Sequence, residues 1–112
     1  MGTFNVLNTK IACVNCKVNF ELKVQFKFGD TWQYTFKIGD ELKWGGNDVG
    51  SPSFKNVIVY GITGMNICPN CNHVNQEEFD LVIINNKIHS IRPMESYQNY
   101  FTAPDSDFYV IE

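Results

Sequence analysis

The chain has 112 residues, of which 44% are hydrophobic and 14% aromatic, with a net charge of −3 and a pI near 5.3. Its length and apolar content predict one small domain over residues 1–112, and its acidic balance counts against bulk electrostatic binding to nucleic acid. No apolar run approaches the roughly 18 residues that a membrane span needs, and the first residues lack the pattern of a signal peptide. We therefore expect a cytoplasmic protein with no membrane partner.

The charge is unevenly distributed along the chain. Residues 1–60 hold seven lysines and five acidic residues, whereas residues 61–112 hold Lys87 and Arg92 against seven acidic residues. Lys23, Lys27 and Lys37 are therefore candidates for a mildly basic face. Nucleic-acid sites add exposed aromatic rings between such charges, but the aromatic residues here occupy the opposite, core-facing parity, which favours a solvated strand face.

Hydrophobic alternation predicts the first strands. Residues Val18 to Phe28 alternate without a break, which is typical of a long, half-buried strand. Gly29-Asp30 predicts a tight hairpin turn, after which Trp32 to Ile38 alternate again. A second turn is expected at Gly39-Asp40, beyond which Leu42 and Trp44 extend the apolar face. We predict three antiparallel strands in a meander, as part of an all-β barrel or sandwich.

The rest of the chain reads as a loop, further strands and a tail. Residues Gly45 to Ser53 are almost all turn formers, and loops of this length often bind a ligand or partner. Asn85-Asn86 predicts a turn, no segment has a helical period, and residues 93–112 are expected to form a docked tail or closing strand. The further strands are predicted at Val57–Ile62, Phe79–Ile84 and Ile88–Ile91.

Four cysteines form two pairs with C-x-x-C spacing: Cys13 and Cys16, and Cys68 and Cys71. Two residues between thiolates let a tight turn, here called a knuckle, aim both sulfurs at one tetrahedral ion, and two knuckles complete its coordination. Backbone N–H groups of the turn can hydrogen-bond the sulfurs, and Asn15 and Asn70 suit such turns. In a reducing compartment the pattern favours metal over disulfides. We predict one structural zinc ion, ahead of iron and of free thiols or a redox pair.

The two knuckles resemble those of zinc-ribbon and rubredoxin-like proteins, with Cys68-Pro69-Asn70-Cys71 the closer match. The resemblance implies a four-cysteine metal site at the end of a β-structure and implies no particular function. The segment between the knuckles exceeds the usual ribbon spacing, so we expect the meander to be inserted there. Lys17 and Asn72 stand where many of these proteins have Gly, which argues against an exact rubredoxin geometry and against iron. The stretch from Lys27 to Gly50 is similar to small uncharacterised bacterial proteins.

For function, the sequence favours a non-enzymatic, zinc-stabilised protein-binding module, of which a bacterial immunity or adaptor protein is one form. The alternatives are a nucleic-acid-associated zinc ribbon and a redox or iron-binding protein. A redox C-x-x-C is expected in a βαβ context, and a catalytic zinc keeps an open coordination position. His73 is interpreted as a turn residue, with a supporting role at the metal left open. The candidate partner-binding residues are Trp44, Asn47, Asp48, Tyr97, Tyr100 and Phe101.

Overall fold

The computed structural model of the protein describes residues 4–64, 66–102 and 107–111. Its regular structure is nearly all β-strand and mostly antiparallel, which confirms the predicted all-β class. One five-residue helix, α1, lies in the tail. The elements are β1 (Asn5–Ala12), β2 (Asn19–Phe26), β3 (Gly29–Asp30), β4 (Thr35–Phe36), β5 (Asp48–Val49), β6 (Asn56–Ile62), β7 (Glu78–Ile84), β8 (Lys87–Pro93), α1 (Gln98–Thr102) and β9 (Phe108–Val110).

One main sheet has the strand order β4-β1-β2-β6-β7-β8, and β9 is added to β6. All of its pairings are antiparallel except that of β1 with β4, which is parallel. Strands β6, β7 and β8 form an antiparallel meander. The turn between β7 and β8 lies at Asn85 and Asn86, as predicted, with φ values of 50° and 66° that suit a tight hairpin.

The meander predicted over Val18 to Trp44 is wrong. Strand β2 forms as expected, but its partners are β1, which was not predicted, and β6. Gly29-Asp30 is not a hairpin turn but the strand β3, paired with β5, and the stretch after it contributes only the two-residue β4. The buried Asn5 side chain explains this course. Its amide donates to the carbonyl oxygens of Phe28 (3.2 Å) and Asp30 (3.0 Å) and accepts the N–H of Tyr34 (3.1 Å). These long-range bonds hold the segment after β2 against β1, so that this segment does not turn back along β2 as a hairpin.

The core lies on one face of the sheet, and the tail covers part of the other. On β2 the buried Leu22, Val24 and Phe26 alternate with exposed polar residues. A second cluster on the opposite face of β6 and β7 contains Ile58, Met94 and Tyr100. Strand β6 is therefore packed on both faces, as its β-branched run predicts. The main core consists of Leu7, Leu22, Val24, Phe26, Phe28, Phe36, Leu42, Val57, Val59, Phe79, Leu81, Ile83 and Ile88.

The two knuckles meet at one end of this sheet. The first is the connection between β1 and β2, whose register runs up to Ala12 and Asn19. The second lies between β6 and β7 and is flanked by an isolated bridge between Ile67 and Val74. Strand β2 joins β6 at Gln25 and Phe26, far from the first knuckle. Within the described ranges, no helix is long and apolar enough to cross a membrane.

Candidate metal centre

The structure brings the four cysteine sulfurs together: all lie within 4.8 Å of one another. The Sγ atoms of Cys13 and Cys71 are 3.7 Å apart and those of Cys16 and Cys68 are 3.6 Å apart. A disulfide would require about 2.0 Å, so the cysteines are free thiols. Four sulfurs at about 2.3 Å from a tetrahedral ion are about 3.8 Å from one another. The cluster therefore has the size and donor set to hold one metal ion.

The two knuckles have the same backbone geometry. The N–H of Lys17 donates to the carbonyl oxygen of Cys13 at 2.9 Å, and the N–H of Asn72 donates to that of Cys68 at 2.9 Å. Lys17 and Asn72 adopt φ values of 67° and 62°, in the left-handed region that Gly occupies most easily. Lysine and asparagine at these positions therefore take up the backbone conformation that a glycine would.

Two asparagines tie the knuckles to each other. Each donates its backbone N–H to the first sulfur of its own knuckle at 3.4 Å. Each also donates its side-chain amide to the last sulfur of the other knuckle, from Asn15 to Cys71 and from Asn70 to Cys16, both at 3.5 Å. The sequence indicated that these residues suit the turns, but this crossed pattern depends on the two knuckles facing each other.

Asn75 is a further residue of the site that sequence reasoning missed. Its buried side chain donates to the Cys13 sulfur at 3.6 Å and accepts the N–H of Val14 at 3.1 Å. Its own N–H donates to the carbonyl of Asn66 at 2.7 Å. The only sequence signal was a polar residue four positions after Cys71, which many surface turns share. His73 is exposed and contributes its carbonyl oxygen, which accepts the N–H of Cys68 at 2.9 Å.

Hydrogen bonding and burial shift the pKa values of the thiols in opposite directions. Burial raises the pKa of Cys13, but N–H donors from its own knuckle and from Asn75 outweigh burial and lower this pKa to about 6. The pKa of Cys16 is lowered, chiefly by the amide of Asn70. Burial raises the pKa of Cys68 to about 11. The cluster thus already stabilises some of the thiolates that a metal requires, and a bound cation would favour the thiolate at the others.

The candidate residues of the Trp44 loop lie close to the core. The Trp44 ring is half-buried and edge-on to Phe28, with centroids 5.4 Å apart. Asn47 and Asp48 are exposed, but the side chains of both make hydrogen bonds within the protein. The Asn47 amide donates to the Thr31 hydroxyl at 3.0 Å, and the Asp48 carboxylate accepts the N–H of Gly45 at 3.0 Å. Their partner-binding role stays a prediction.

The candidate residues of the tail lie on the outer face of β6 and β7. The Tyr97 hydroxyl bonds to the Glu78 carboxylate and, at 2.7 Å, to the Tyr60 hydroxyl. Tyr100 is buried and donates to the Asp80 carboxylate at 2.6 Å. The side chain of Phe101 lies outside the described residues. For these three candidates too, partner binding stays a prediction.

Two of the three candidate lysines for a basic face line one groove. A groove of about 670 Å³ beside the β1–β2 hairpin is lined by Lys10, Lys23 and Lys37, with Glu21 among them. Lys23 and Lys37 are two of the three candidate lysines, and Lys10 joins them because β1 is the neighbour of β2. The third candidate, Lys27, lines a different groove.

Fold and site together define a small all-β protein with a four-cysteine cluster able to hold a metal ion. Comparison of the chain with protein-family models, with curated proteins and with solved structures gave no match.

Proposed function

We propose that the protein is a non-enzymatic protein-binding module whose fold is stabilised by one structural zinc ion. The observation that carries the proposal is the set of four sulfurs, all within 4.8 Å of one another, supplied by two knuckles distant in sequence. Thiolate ligands in tetrahedral geometry are typical of zinc or iron–sulfur sites. Four thiolates fill the coordination sphere of zinc and leave no position for water or substrate, which supports a structural role.

The metal is tested by elemental analysis of the purified, reduced protein. We expect one zinc per chain, and little zinc in Cys68→Ser, which loses a ligand. His73→Ala is the matched control, because its exposed imidazole lies outside the four-sulfur cluster, and it should retain the wild-type zinc content. Iron in place of zinc, with the visible absorbance of an iron–thiolate centre, would support the redox alternative instead.

Exposed aliphatic side chains on the knuckles support protein binding. Val14 and Val74, one on each knuckle segment, are 64% and 65% exposed, and Val18 and Ile67 are also exposed. Ile67 and Val74 are bridge partners, and Val14 donates its N–H to Asn75, next to Val74. Three of these residues are therefore neighbours, and contiguous exposed apolar side chains mark protein–protein contacts. Such a surface needs a folded knuckle pair, so the proposed binding function depends on the proposed zinc.

Affinity purification from the native cell tests the binding function. The wild-type protein should retain a specific protein partner, and the double variant Val14→Asp, Val74→Asp should lose it while keeping its zinc, since both side chains are largely exposed. Lys55→Asp is a control for an added surface charge elsewhere. If the wild-type protein retains no protein under conditions in which it is folded and zinc-loaded, the proposed function is contradicted.

The groove lined by Lys10, Lys23 and Lys37 favours one second candidate, a nucleic-acid-associated module. Three lysines against one glutamate can contact a few phosphates, and such binding weakens steeply as salt increases. Fluorescence anisotropy with single- and double-stranded oligonucleotides at two salt concentrations tests it. Salt-dependent binding that Lys23→Gln reduces would favour this candidate over the first.

A further inference from the structure

We propose that an extended, acidic segment of a partner protein binds in the groove between β1 and β8 by adding a strand to the free edge of β1. This inference rests on the proposed protein-binding function and specifies its site and the chemistry of its partner. It is carried by the hydrogen-bonding side of β1, the extent of that open edge, the charge of the groove and an unsatisfied polar group beside it.

The first observation is which side of β1 is open. The N–H of Val6 donates to the carbonyl oxygen of Tyr34 at 2.9 Å, on the side of β1 away from β2. In an antiparallel pair, successive residues alternate between bonding to the partner and facing away from it. The N–H and C=O groups of the even-numbered residues of β1 therefore face away from β2.

The second observation is how much of that side is covered. Strand β4 pairs with β1 at Val6 and Leu7, and beyond the end of β1 the N–H of Val14 is taken by Asn75. Between these contacts lie Lys10 and Ala12, whose outward backbone groups have no strand partner within the described ranges. The open edge is therefore a short window with a side chain or strand closing each end.

Strand β8 forms the opposite wall. The N–H of Met94 donates to the carbonyl oxygen of Glu78 on β7 at 3.1 Å. The backbone groups of Ile91 and Pro93, at odd-numbered positions, therefore face away from β7. Proline has no N–H to offer and usually marks a protected edge. Strand addition is therefore expected on β1, with β8 providing a wall of side chains.

The groove between these strands measures about 300 Å³, at the lower end of the range of about 300–1,000 Å³ for ligand pockets. Its apolar lining includes Ile11, Phe79 and Ile91, and its charged lining is Lys10 and Arg92, with no carboxylate among the described lining residues. Arg92 also contacts Asp80 at 3.4 Å, but its side chain is 56% exposed. A segment that alternates acidic and apolar side chains complements this lining.

Asn66 is an independent sign that a hydrogen-bond donor belongs here. It lines the same groove and is 1% exposed, and its side-chain oxygen has no partner within the described residues. Its amide nitrogen donates to the carbonyl of Gln76 at 2.6 Å, which leaves the oxygen as the end of the amide without a partner among the described residues. Buried polar groups are nearly always hydrogen-bonded, and a peptide N–H that enters the groove deeply enough to reach this buried oxygen would be a suitable donor.

A second copy of the chain fits this edge less well than an acidic peptide. Antiparallel pairing of two β1 edges through the same window would bring the two Lys10 side chains close together, and like charges across neighbouring strands are destabilising. A nucleic acid has no main-chain amides with which to extend a sheet. Charge and edge chemistry together select an acidic, extended polypeptide.

The test uses a displayed library of random peptides about eight residues long, within the usual range for a strand, selected against the zinc-loaded protein. Enriched peptides should alternate acidic and apolar residues.

On binding of the synthesised peptide, the amides of Lys10 and Ala12 should shift in NMR spectra and become protected from hydrogen exchange. Ala12→Pro, which removes an outward N–H, should weaken binding about tenfold. Lys10→Glu should also weaken it, whereas Lys23→Glu, on the neighbouring strand, is the matched control.

Zinc content and melting temperature show whether Ala12→Pro remains folded, and Lys10→Glu provides the test if it does not. The proposal is overturned if no acidic peptide is enriched, if neither variant weakens binding, or if light scattering shows a dimer that Ala12→Pro dissociates. Capture of the native partner separates the two proposals. If Ala12→Pro and Lys10→Glu are folded and still retain a partner that the wild-type protein binds, the strand-addition proposal is wrong and the protein-binding proposal stands. If the wild-type protein captures no partner, the protein-binding proposal itself is wrong.

Discussion

At the scale of single residues, two asparagines distinguish this site from a bare set of four thiols. Asn15 and Asn70 each reach across to a sulfur of the opposite knuckle, so every change in the distance between the knuckles also changes these bonds. Amide donors reduce the negative charge on the sulfurs without occupying the metal. Such supporting groups orient ligands, and losing one typically costs about 10- to 100-fold in metal affinity.

The first prediction is therefore that Asn70→Ala still binds zinc but holds it about tenfold or more weakly. Competition with a chromophoric chelator measures the affinity. Asn72→Gly is the matched control, since it lies in the same knuckle at a positive φ that glycine adopts freely, and it should stay close to wild type. Unchanged affinity in both Asn15→Ala and Asn70→Ala would contradict the role given to the crossed bonds.

A second prediction at this scale concerns Asn5, whose side chain holds the chain after β2 through three hydrogen bonds. Asn5→Ala takes the partner from the Phe28 carbonyl and the Tyr34 N–H, and each buried group left unsatisfied costs about 1–3 kcal/mol. Chemical denaturation should show a lower free energy of unfolding. Asn8→Ala, on the same strand, is the control, because the Asn8 side-chain oxygen has no partner within the described residues. An equal loss in both variants would contradict this account of Asn5.

At the scale of elements, local alternation predicted some strands well and connections poorly. The alternating pattern of β2 and the β-branched run of β6 each follow from which side chains are buried, so both strands could be predicted from the sequence. Gly29-Asp30 was assigned to a hairpin because its residues suit one, whereas the actual course depends on Asn5, more than twenty positions earlier in the chain. The parallel pairing of β4 with β1 could not be predicted from local sequence either, because it also joins residues that are distant in the chain.

The tyrosines where the tail packs on β6 provide a prediction about alkaline pH. Burial raises the pKa of Tyr60 and of Tyr100, and the carboxylates that their hydroxyls contact raise it further. A folded pKa above the unfolded value of about 10 means that this stabilisation is complete below about pH 10 and is lost as the pH rises beyond it. Thermal unfolding followed by tyrosinate absorbance between about pH 8 and 11 should show a falling melting temperature.

Tyr100→Phe separates this effect from general alkaline damage. Removing the hydroxyl takes a donor from the buried Asp80, so at neutral pH the variant should be less stable by about 1–3 kcal/mol. It should also lose less additional stability than wild type on going to high pH. A variant with the same alkaline slope as wild type would show that Tyr100 does not contribute to the pH dependence.

At the scale of the whole molecule, the cluster links two regions that the sheet connects weakly at that end. The first knuckle is carried on the β1–β2 hairpin and the second between β6 and β7, while β2 and β6 pair at Gln25 and Phe26. The four ligands could be recognised from sequence because C-x-x-C spacing is local. Asn75 and the open edge of β1 could not, because each depends on which strands become neighbours.

The most direct test of the central claim is the melting temperature of the zinc-loaded protein before and after removal of the metal by a strong chelator under reducing conditions. Structural zinc contributes about 10–16 kcal/mol in comparable sites, so the metal-free protein should unfold or melt far lower and recover when zinc is returned. Cys68→Ser, with its weakened site, should respond little to the chelator. A metal-free wild-type protein that melts at the same temperature as the zinc-loaded one would contradict the claim.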